Sequence, residues 1–117
     1  MPAPLAAQQD GKPAAAPALP PLPDSAGWGI HVLTAVRDAG GALWLGTYGH
    51  GLLRLAPGSE AWQVIRHDTA ATSLSWDYVH AVAFGPRGEI WYGTVGNGWG
   101  LSTDGGRTWR HWGADEL

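Results

Sequence analysis

Residues 79–112 read VHAVAFGPRGEIWYGTVGNGWGLSTDGGRTWRHW, a run of short β-prone segments separated by turn residues. The dipeptide Asn97-Gly98 favours a tight hairpin, because a type I′ turn needs positive φ at both of its central positions. Each β-prone segment lies between residues that favour turns. The strands predicted in this way are 79–84, 89–94, 99–102 and 108–112.

The same pattern occurs twice in the chain. Shifting the sequence by 47 residues aligns 32–65 with 79–112 without a gap, and nine of the 34 pairs are identical. The identical pairs are mostly Gly and Trp: Val32/Val79, Gly41/Gly88, Trp44/Trp91, Gly46/Gly93, Thr47/Thr94, Gly49/Gly96, Gly51/Gly98, Gly58/Gly105 and Trp62/Trp109. The strands predicted for the first unit are Val32–Arg37, Leu43–Thr47, Leu52–Leu55 and Trp62–Arg66. Four short strands in a repeat of roughly 40–50 residues are typical of a β-propeller blade.

The sequence therefore predicts an all-β protein made of a tail and two four-stranded antiparallel blades. Residues 1–24 are predicted to be a disordered Pro/Ala-rich tail or linker, because proline removes a backbone donor and alanine buries little surface. Residues 25–71 are predicted to form the first blade and 72–117 the second. Propellers close with about 4–8 blades, so two blades make an incomplete ring.

Both units resemble the repeat of two-component regulator propellers. Residues 32–47 fit V-x2-A-x2-D-x2-G-x-L-W-L-G-T, and residues 79–94 fit V-x2-V-x2-G-x2-G-x-I-W-Y-G-T. The link 66–79 also looks like the connection between blades in that family. Two positions depart from the pattern, since Gly85 replaces an acidic residue and Gly100 replaces a large apolar one. The resemblance implies a ligand-sensing or interaction propeller, usually extracytoplasmic (periplasmic or secreted), that recognises glycans or other ligands.

A second resemblance lies between the third and fourth strands of the second unit. The pattern S-x-D-x-G-x-T-W is similar to the Asp-box, or bacterial neuraminidase repeat, of sialidases, photosystem II assembly factors and sortilin-type receptors. Its defining residues here are Ser102, Asp104, Gly106, Thr108 and Trp109. We expect Asp104 to accept N–H groups across the turn and Trp109 to pack over the sheet. The motif lies away from the catalytic centre in those families, so the resemblance implies a structural role.

Charge and composition exclude several classes of function. The chain has 117 residues, with seven Lys and Arg against ten Asp and Glu and a net charge of −3, which argues against nucleic-acid binding. No apolar run approaches the roughly 20 residues that cross a bilayer, so no membrane span is predicted in this chain. The lack of cysteine removes thiolate nucleophiles, disulfides and cysteine-based metal sites.

The sequence assigns no catalytic, cofactor-binding or metal-binding residue. The histidines show no metal-ligand spacing, and no motif brings the six arginines into a sialidase-type triad. The histidines are His31, His50, His67, His80 and His111. Trp99 lies beside a turn and has no counterpart in the first unit, so it is a candidate for stacking on a glycan or peptide, with packing as the alternative.

Three functions remain open at this point. The chain is a non-catalytic binding module from a propeller, the N-terminal part of an Asp-box glycoside hydrolase of sialidase type, or a self-assembling propeller scaffold. Each hypothesis needs further blades as partners, in the same longer chain or by self-association, because two blades leave two flanks bare. If each flank exposed about 400 Å² of apolar surface, the lost burial would be about 10 kcal/mol per flank.

Overall fold

The computed structural model describes residues 19–113, and within that range it contains β-strands but no helix, hence none that could span a bilayer. In chain order the strands are β1 (Val32–Arg37), β2 (Leu43–Thr47), β3 (Leu52–Leu55), β4 (Gln63–Ile65), β5 (Val79–Phe84), β6 (Ile90–Thr94), β7 (Trp99–Ser102) and β8 (Arg110–Trp112). They form two four-stranded antiparallel sheets, ordered β1-β2-β3-β4 and β5-β6-β7-β8. The prediction of an all-β chain with two such sheets is confirmed.

The fourth strand of each sheet begins later than the sequence predicts. The expected starts were Trp62 and Thr108, whereas β4 and β8 begin one and two residues further on. In the second sheet the reason is visible, because the N–H of Trp109 donates to Thr72 O at 2.8 Å, away from the strand ladder. This tryptophan therefore belongs to the turn that precedes β8.

The segment before β1 is described only in part. Most of the predicted tail, 1–24, lies outside the described residues, as do 114–117 of the predicted second blade. Residues 19–31 contain no strand. The indole N–H of Trp62 donates to Pro20 O at 3.1 Å, which places this segment beside the first sheet.

The loops β2–β3 and β6–β7 are closed by threonine side chains. Thr94 Oγ1 donates to Gly98 O at 2.7 Å and accepts the N–H of Asn97 at 3.0 Å, and the corresponding threonine of the first sheet makes the same two bonds. The prediction of a type I′ turn at Asn97-Gly98 is wrong. That turn needs positive φ at Asn97, but among residues 19–113 only glycines have positive φ. Asn97 instead donates its side-chain amide to Ser75 O at 2.7 Å, so the loop is held by the link between the sheets.

Two loop glycines are required by a close backbone approach. A Cβ on Gly98 would lie 2.0 Å from Trp112 O, and one on Gly51 would lie 2.2 Å from Ile65 O. Both residues also have positive φ, +78° and +73°. In each sheet the end of the fourth strand therefore crosses directly over the loop between the second and third strands.

The two sheets pack face to face around one core. A Cβ on Gly46 would lie 2.6 Å from Val79 O, so the backbones of β2 and β5 approach closely at this point. The core consists of buried side chains from both sheets and the link between them: Ala42, Trp44, Leu52, Leu74, Val79, Val82, Ile90, Tyr92 and Trp109. The second sheet thus covers one face of the first.

The repeat places matching residues on the same face of each sheet. In the first sheet, Trp44 is 1 % exposed because it lies against the second sheet. Its counterpart Trp91 alternates along β6 with Ile90 and Tyr92, which are buried in the core, so it points to the opposite side. We call that side of the second sheet the outer face; its tryptophans are Trp91, Trp99 and Trp112.

The centre of the opposite face of the first sheet is buried as well, although Val64 at its β4 edge is exposed. Leu45, Leu53 and Leu55 lie on that face, and all three are buried although they do not belong to the core between the sheets. Trp91, in contrast, is 36 % exposed. The two faces therefore differ at their centres, where leucines are buried on the first sheet and a tryptophan is exposed on the second.

Candidate functional site

The turn between β7 and β8 is built around the carboxylate of Asp104. Its Oδ1 accepts the Ser102 hydroxyl at 2.8 Å and the N–H groups of Arg107 and Thr108 at 3.1 and 2.9 Å. Its Oδ2 accepts the Thr108 hydroxyl, and Ser102 Oγ in turn accepts the N–H of Gly106 at 2.9 Å. The carboxylate therefore fills the inside of the turn with bonds to its own loop.

These bonds fix the charge of Asp104. The Thr108 hydroxyl and amide, followed by the Ser102 hydroxyl, hold the pKa of the Asp104 carboxyl well below its ordinary value. The group is ionised at neutral pH and acts as an acceptor. A carboxylate in this state has no proton to give, so it cannot serve as a general acid near neutrality.

Trp109 carries the turn into the interior of the molecule. Its side chain is buried and meets Tyr92 edge-on, with the ring centroids 5.3 Å apart. A Cβ on Gly106 would lie 3.0 Å from Trp44 Cη2, so the turn also touches the first sheet. The five residues that resemble an Asp-box are thus brought together in a turn that attaches the second sheet to the first.

The corresponding turn of the first sheet is held differently. It lacks the Asp104 and Thr108 equivalents, and Ser59 Oγ donates to Ala61 O at 3.0 Å instead. Trp62, the counterpart of Trp109, is only half-buried and donates to Pro20 O. The first turn therefore contacts the preceding segment of chain rather than another sheet.

Trp99 lies in a ladder of three tryptophans on the outer face. Its ring stacks on Trp112 with centroids 4.6 Å apart and on Trp91 with centroids 5.7 Å apart. Because β6 and β8 flank β7, the two neighbours lie on opposite sides of the Trp99 ring. Its Nε1 is buried and has no acceptor among the described residues. Both faces of the ring are thus occupied within the protein.

A second aromatic cluster, which the sequence did not single out, lies at the loop end near the link. The rings of Tyr48 and Tyr78 meet edge-on at 4.7 Å, Trp76 lies 5.5 Å from Tyr78, and His67 lies 6.1 Å from Trp76. Tyr48 and Trp76 are exposed. The signal that could have found it is the position of Trp76, which has no counterpart in the repeat and lies beside a polar link.

A cleft of about 290 Å³ opens between the sheets at the opposite end, where the turns β1–β2 and β5–β6 meet. Its apolar lining includes Trp44, Pro57, Phe84, Pro86 and Ile90. Two charged side chains, Asp38 and Arg54, line it as well. The cleft combines residues from both sheets, so no single stretch of sequence contains it.

Arg66, Asp77 and His67 form a small polar group beside the link between the sheets. Arg66 lies 3.5 Å from Asp77, and Asp77 Oδ1 accepts the N–H of His67 at 2.7 Å. His67 Nδ1 lies 2.7 Å from Leu74 O. Within residues 19–113, no three His, Asp or Glu side chains lie close enough together to hold a metal ion.

Comparison with known proteins adds no identification: no family model and no curated protein matches the chain. Function is therefore inferred from the geometry of the described residues.

Proposed function

We propose that the two sheets are consecutive blades of a β-propeller and that the chain is a non-catalytic binding module whose outer face receives a further blade. One observation carries this proposal: the same packing face occurs in both sheets, covered at Trp44 and open at Trp91. In an array of repeats each unit contacts its neighbour through the same surface. A third sheet would then lie on the outer face as the second lies on the first.

The partner that fits the outer face is another four-stranded sheet, from a longer chain or from a second copy. Aromatic side chains bury about 150–250 Å² each. At about 25 cal/mol/Å², covering the exposed parts of three tryptophans would contribute roughly 5 kcal/mol. The stacked arrangement supports packing against a sheet, because a sugar ring would need a free aromatic face and Trp99 has none.

The three carboxyls with displaced pKa values do not have the property of a glycosidase acid. Burial disfavours the ionised form of Asp38, but bonds from Trp44 and from the Ala42 amide outweigh it and lower its pKa. The pKa of Glu89 is lowered by its own N–H and by that of Arg87. A glycosidase acid needs a raised pKa. Each carboxyl with a clearly displaced pKa in residues 19–113, Asp104 included, is displaced downward.

Sedimentation and native mass spectrometry test the role of the outer face. We expect the wild-type chain to associate as its concentration rises and Trp91→Glu to remain monomeric, because a charge would be buried in the contact. Trp28→Glu is the control, since Trp28 is 88 % exposed and lies outside both sheets. Equal association of all three proteins would contradict docking at the outer face.

The absence of catalysis needs a separate test. We expect the purified chain to release no fluorophore from a fluorogenic sialoside. Glycan and peptide arrays test separately whether the chain binds a ligand. Fluorophore release that survives Trp91→Glu would overturn the non-catalytic proposal and favour the hydrolase.

A further inference from the structure

The charged groups of the cleft between the sheets, Asp38 and Arg54, form no salt bridge with each other, although the charge of Arg54 contributes to the lowered pKa of Asp38. The guanidinium carbon of Arg54 lies 5.5 Å from the centre of the Trp44 ring. Arg54 Nε is buried and has no acceptor among the described residues. The salt bridge found among those residues joins Arg66 to Asp77 instead. Because Nε is closed to solvent, a ligand oxygen can reach only the terminal nitrogens of the Arg54 guanidinium, which carry four of its five N–H donors.

Asp38 supplies the opposite charge at the same cleft. Its Oδ1 accepts the N–H of Ala42 and its Oδ2 accepts the indole N–H of Trp44, both at 2.9 Å. The backbone of Gly40 also bonds to this carboxylate, and since two oxygens offer about four acceptor sites, at least one lone pair stays free. The carboxylate is therefore held in a fixed orientation and can still accept a hydrogen bond from a donor in the cleft.

The walls around these two charges are apolar. Pro57 comes from the β3–β4 turn, and Phe84 and Pro86 come from the β5–β6 hairpin. A cation and an anion that line one apolar cleft without forming an ion pair suit a ligand that carries both charges and an apolar body. A simple carboxylate would leave Asp38 facing a like charge, and a simple amine would leave Arg54 without its acceptor.

We propose that this cleft binds a small zwitterion with an apolar side chain, of the class of the apolar α-amino acids. The carboxylate of the ligand meets Arg54, its ammonium group meets Asp38, and its side chain lies against Phe84 and the two prolines. The site lies wholly between the two described sheets. The proposal therefore does not depend on whether a further blade covers the outer face.

Titration with L-phenylalanine, followed by amide NMR shifts, tests the proposal. We expect a dissociation constant of about 1 mM, within the range of weak small-ligand binding. The shifted amides should include Gly40, Gly85 and Gly88, which line the cleft, and should exclude Gly96 at the opposite end. A lack of shifts at the cleft glycines would overturn the site.

Two ligand analogues test the need for both charges in the wild-type chain. N-acetyl-L-phenylalanine lacks the ammonium group, and L-phenylalaninamide lacks the carboxylate. We expect each to bind at least about tenfold more weakly than L-phenylalanine. Equal binding of all three compounds would show that the cleft recognises only the aromatic ring, which contradicts the proposal.

A matched pair of arginine variants tests the residue itself. Arg54→Met keeps an apolar side chain over Trp44 but removes the charge, and we expect about tenfold weaker binding. Arg110→Met is the control, because Arg110 also lies over a tryptophan, 5.2 Å from the Trp112 ring, but outside the cleft. Unchanged binding by Arg54→Met would overturn the proposal, and if that variant does not fold, the analogue series decides.

Discussion

Asp38 and Asp104 lie at the same end of the two sheets, and each accepts N–H groups from its own turn. Asp38 also binds the indole N–H of Trp44, whereas Asp104 binds only groups of its own loop. These carboxylates determine the shape of the turns because each replaces several backbone bonds that a tight turn cannot make by itself. The ionised state of these two carboxyls therefore helps to maintain the folded shape of their turns.

The depressed pKa of Asp104 predicts how acid affects stability. Its pKa in the folded chain lies below the unfolded value of about 3.8. The ionised carboxylate therefore stabilises the fold fully above about pH 4, and this stabilisation is lost as the pH falls towards the folded pKa. We expect Asp104→Asn to lower the melting temperature at neutral pH and to flatten its fall below about pH 4.

The control for this prediction is Glu60→Gln, an exposed residue in the corresponding turn of the first sheet. Melting curves from neutral pH to acid should give this variant the wild-type slope. An Asp104→Asn protein with the same acid slope as wild type would show that the carboxylate does not carry the effect.

Substitutions at two neighbouring loop glycines distinguish the cost of backbone strain from that of a steric clash. Gly96 and Gly98 both have positive φ, but a Cβ on Gly96 meets nothing within 4 Å, whereas one on Gly98 meets Trp112 O. We expect Gly96→Ala to lower the free energy of unfolding by about 1 kcal/mol and Gly98→Ala by about 3 kcal/mol. Urea unfolding measures both; equal losses would mean that β8 does not cross the loop closely.

At the scale of the elements, the link is bonded to both sheets: Asp77 O accepts the N–H groups of Gly49 and Gly51, and the second sheet binds Ser75. Tyr92 on β6 accepts the N–H of Ser75 at 2.9 Å and lies 3.2 Å from its hydroxyl. The Ser75 hydroxyl also donates to Asn97 O at 2.9 Å. The link is thus attached to a strand and to a loop of the second sheet, which positions β5 for pairing.

Tyr92→Phe tests this attachment. The substitution keeps the ring in the core but leaves the buried Ser75 amide without its acceptor, so we expect the free energy of unfolding to fall by about 1–3 kcal/mol. Tyr48→Phe is the control, because Tyr48 is 54 % exposed. A Tyr92→Phe protein as stable as the control would mean that water replaces the lost hydroxyl.

At the scale of the whole molecule, two tryptophans at equivalent positions of the repeat lie in different environments. Trp44 is covered by the second sheet, and Trp91 occupies the equivalent place on the outer face. In dilute solution we expect Trp44→Ala to lower the free energy of unfolding by about 3–5 kcal/mol, as for large core truncations, and Trp91→Ala to lower it by clearly less.

The same pair measures docking on the outer face. If a second copy covers that face, the destabilisation by Trp91→Ala should increase with protein concentration, because association stabilises only the folded chain. The loss of stability caused by Trp44→Ala should not change with protein concentration. Equal losses at every concentration would mean that the two faces are covered alike, contrary to the structure.

Much of the architecture could be predicted because it depends on local interactions. Runs of β-prone residues place strands such as β2 and β6, and glycine places the turns, so the 47-residue repeat predicts two equal sheets. The turn between β7 and β8 is also local, since Asp104 binds groups within four residues of itself. These features need only neighbours along the chain.

Long-range contacts determined the rest. The side-chain amide of Asn97 donates to Ser75 O, 22 residues away, a contact that no local pattern predicts. Both faces of the Trp99 ring are covered by residues of β6 and β8. The cleft is lined by Arg54 from one sheet and Phe84 from the other. Sequence alone determined which segments are strands and where they turn. Only the stacking of the sheets decided which faces are covered and which charges meet, because those contacts join residues far apart in the chain.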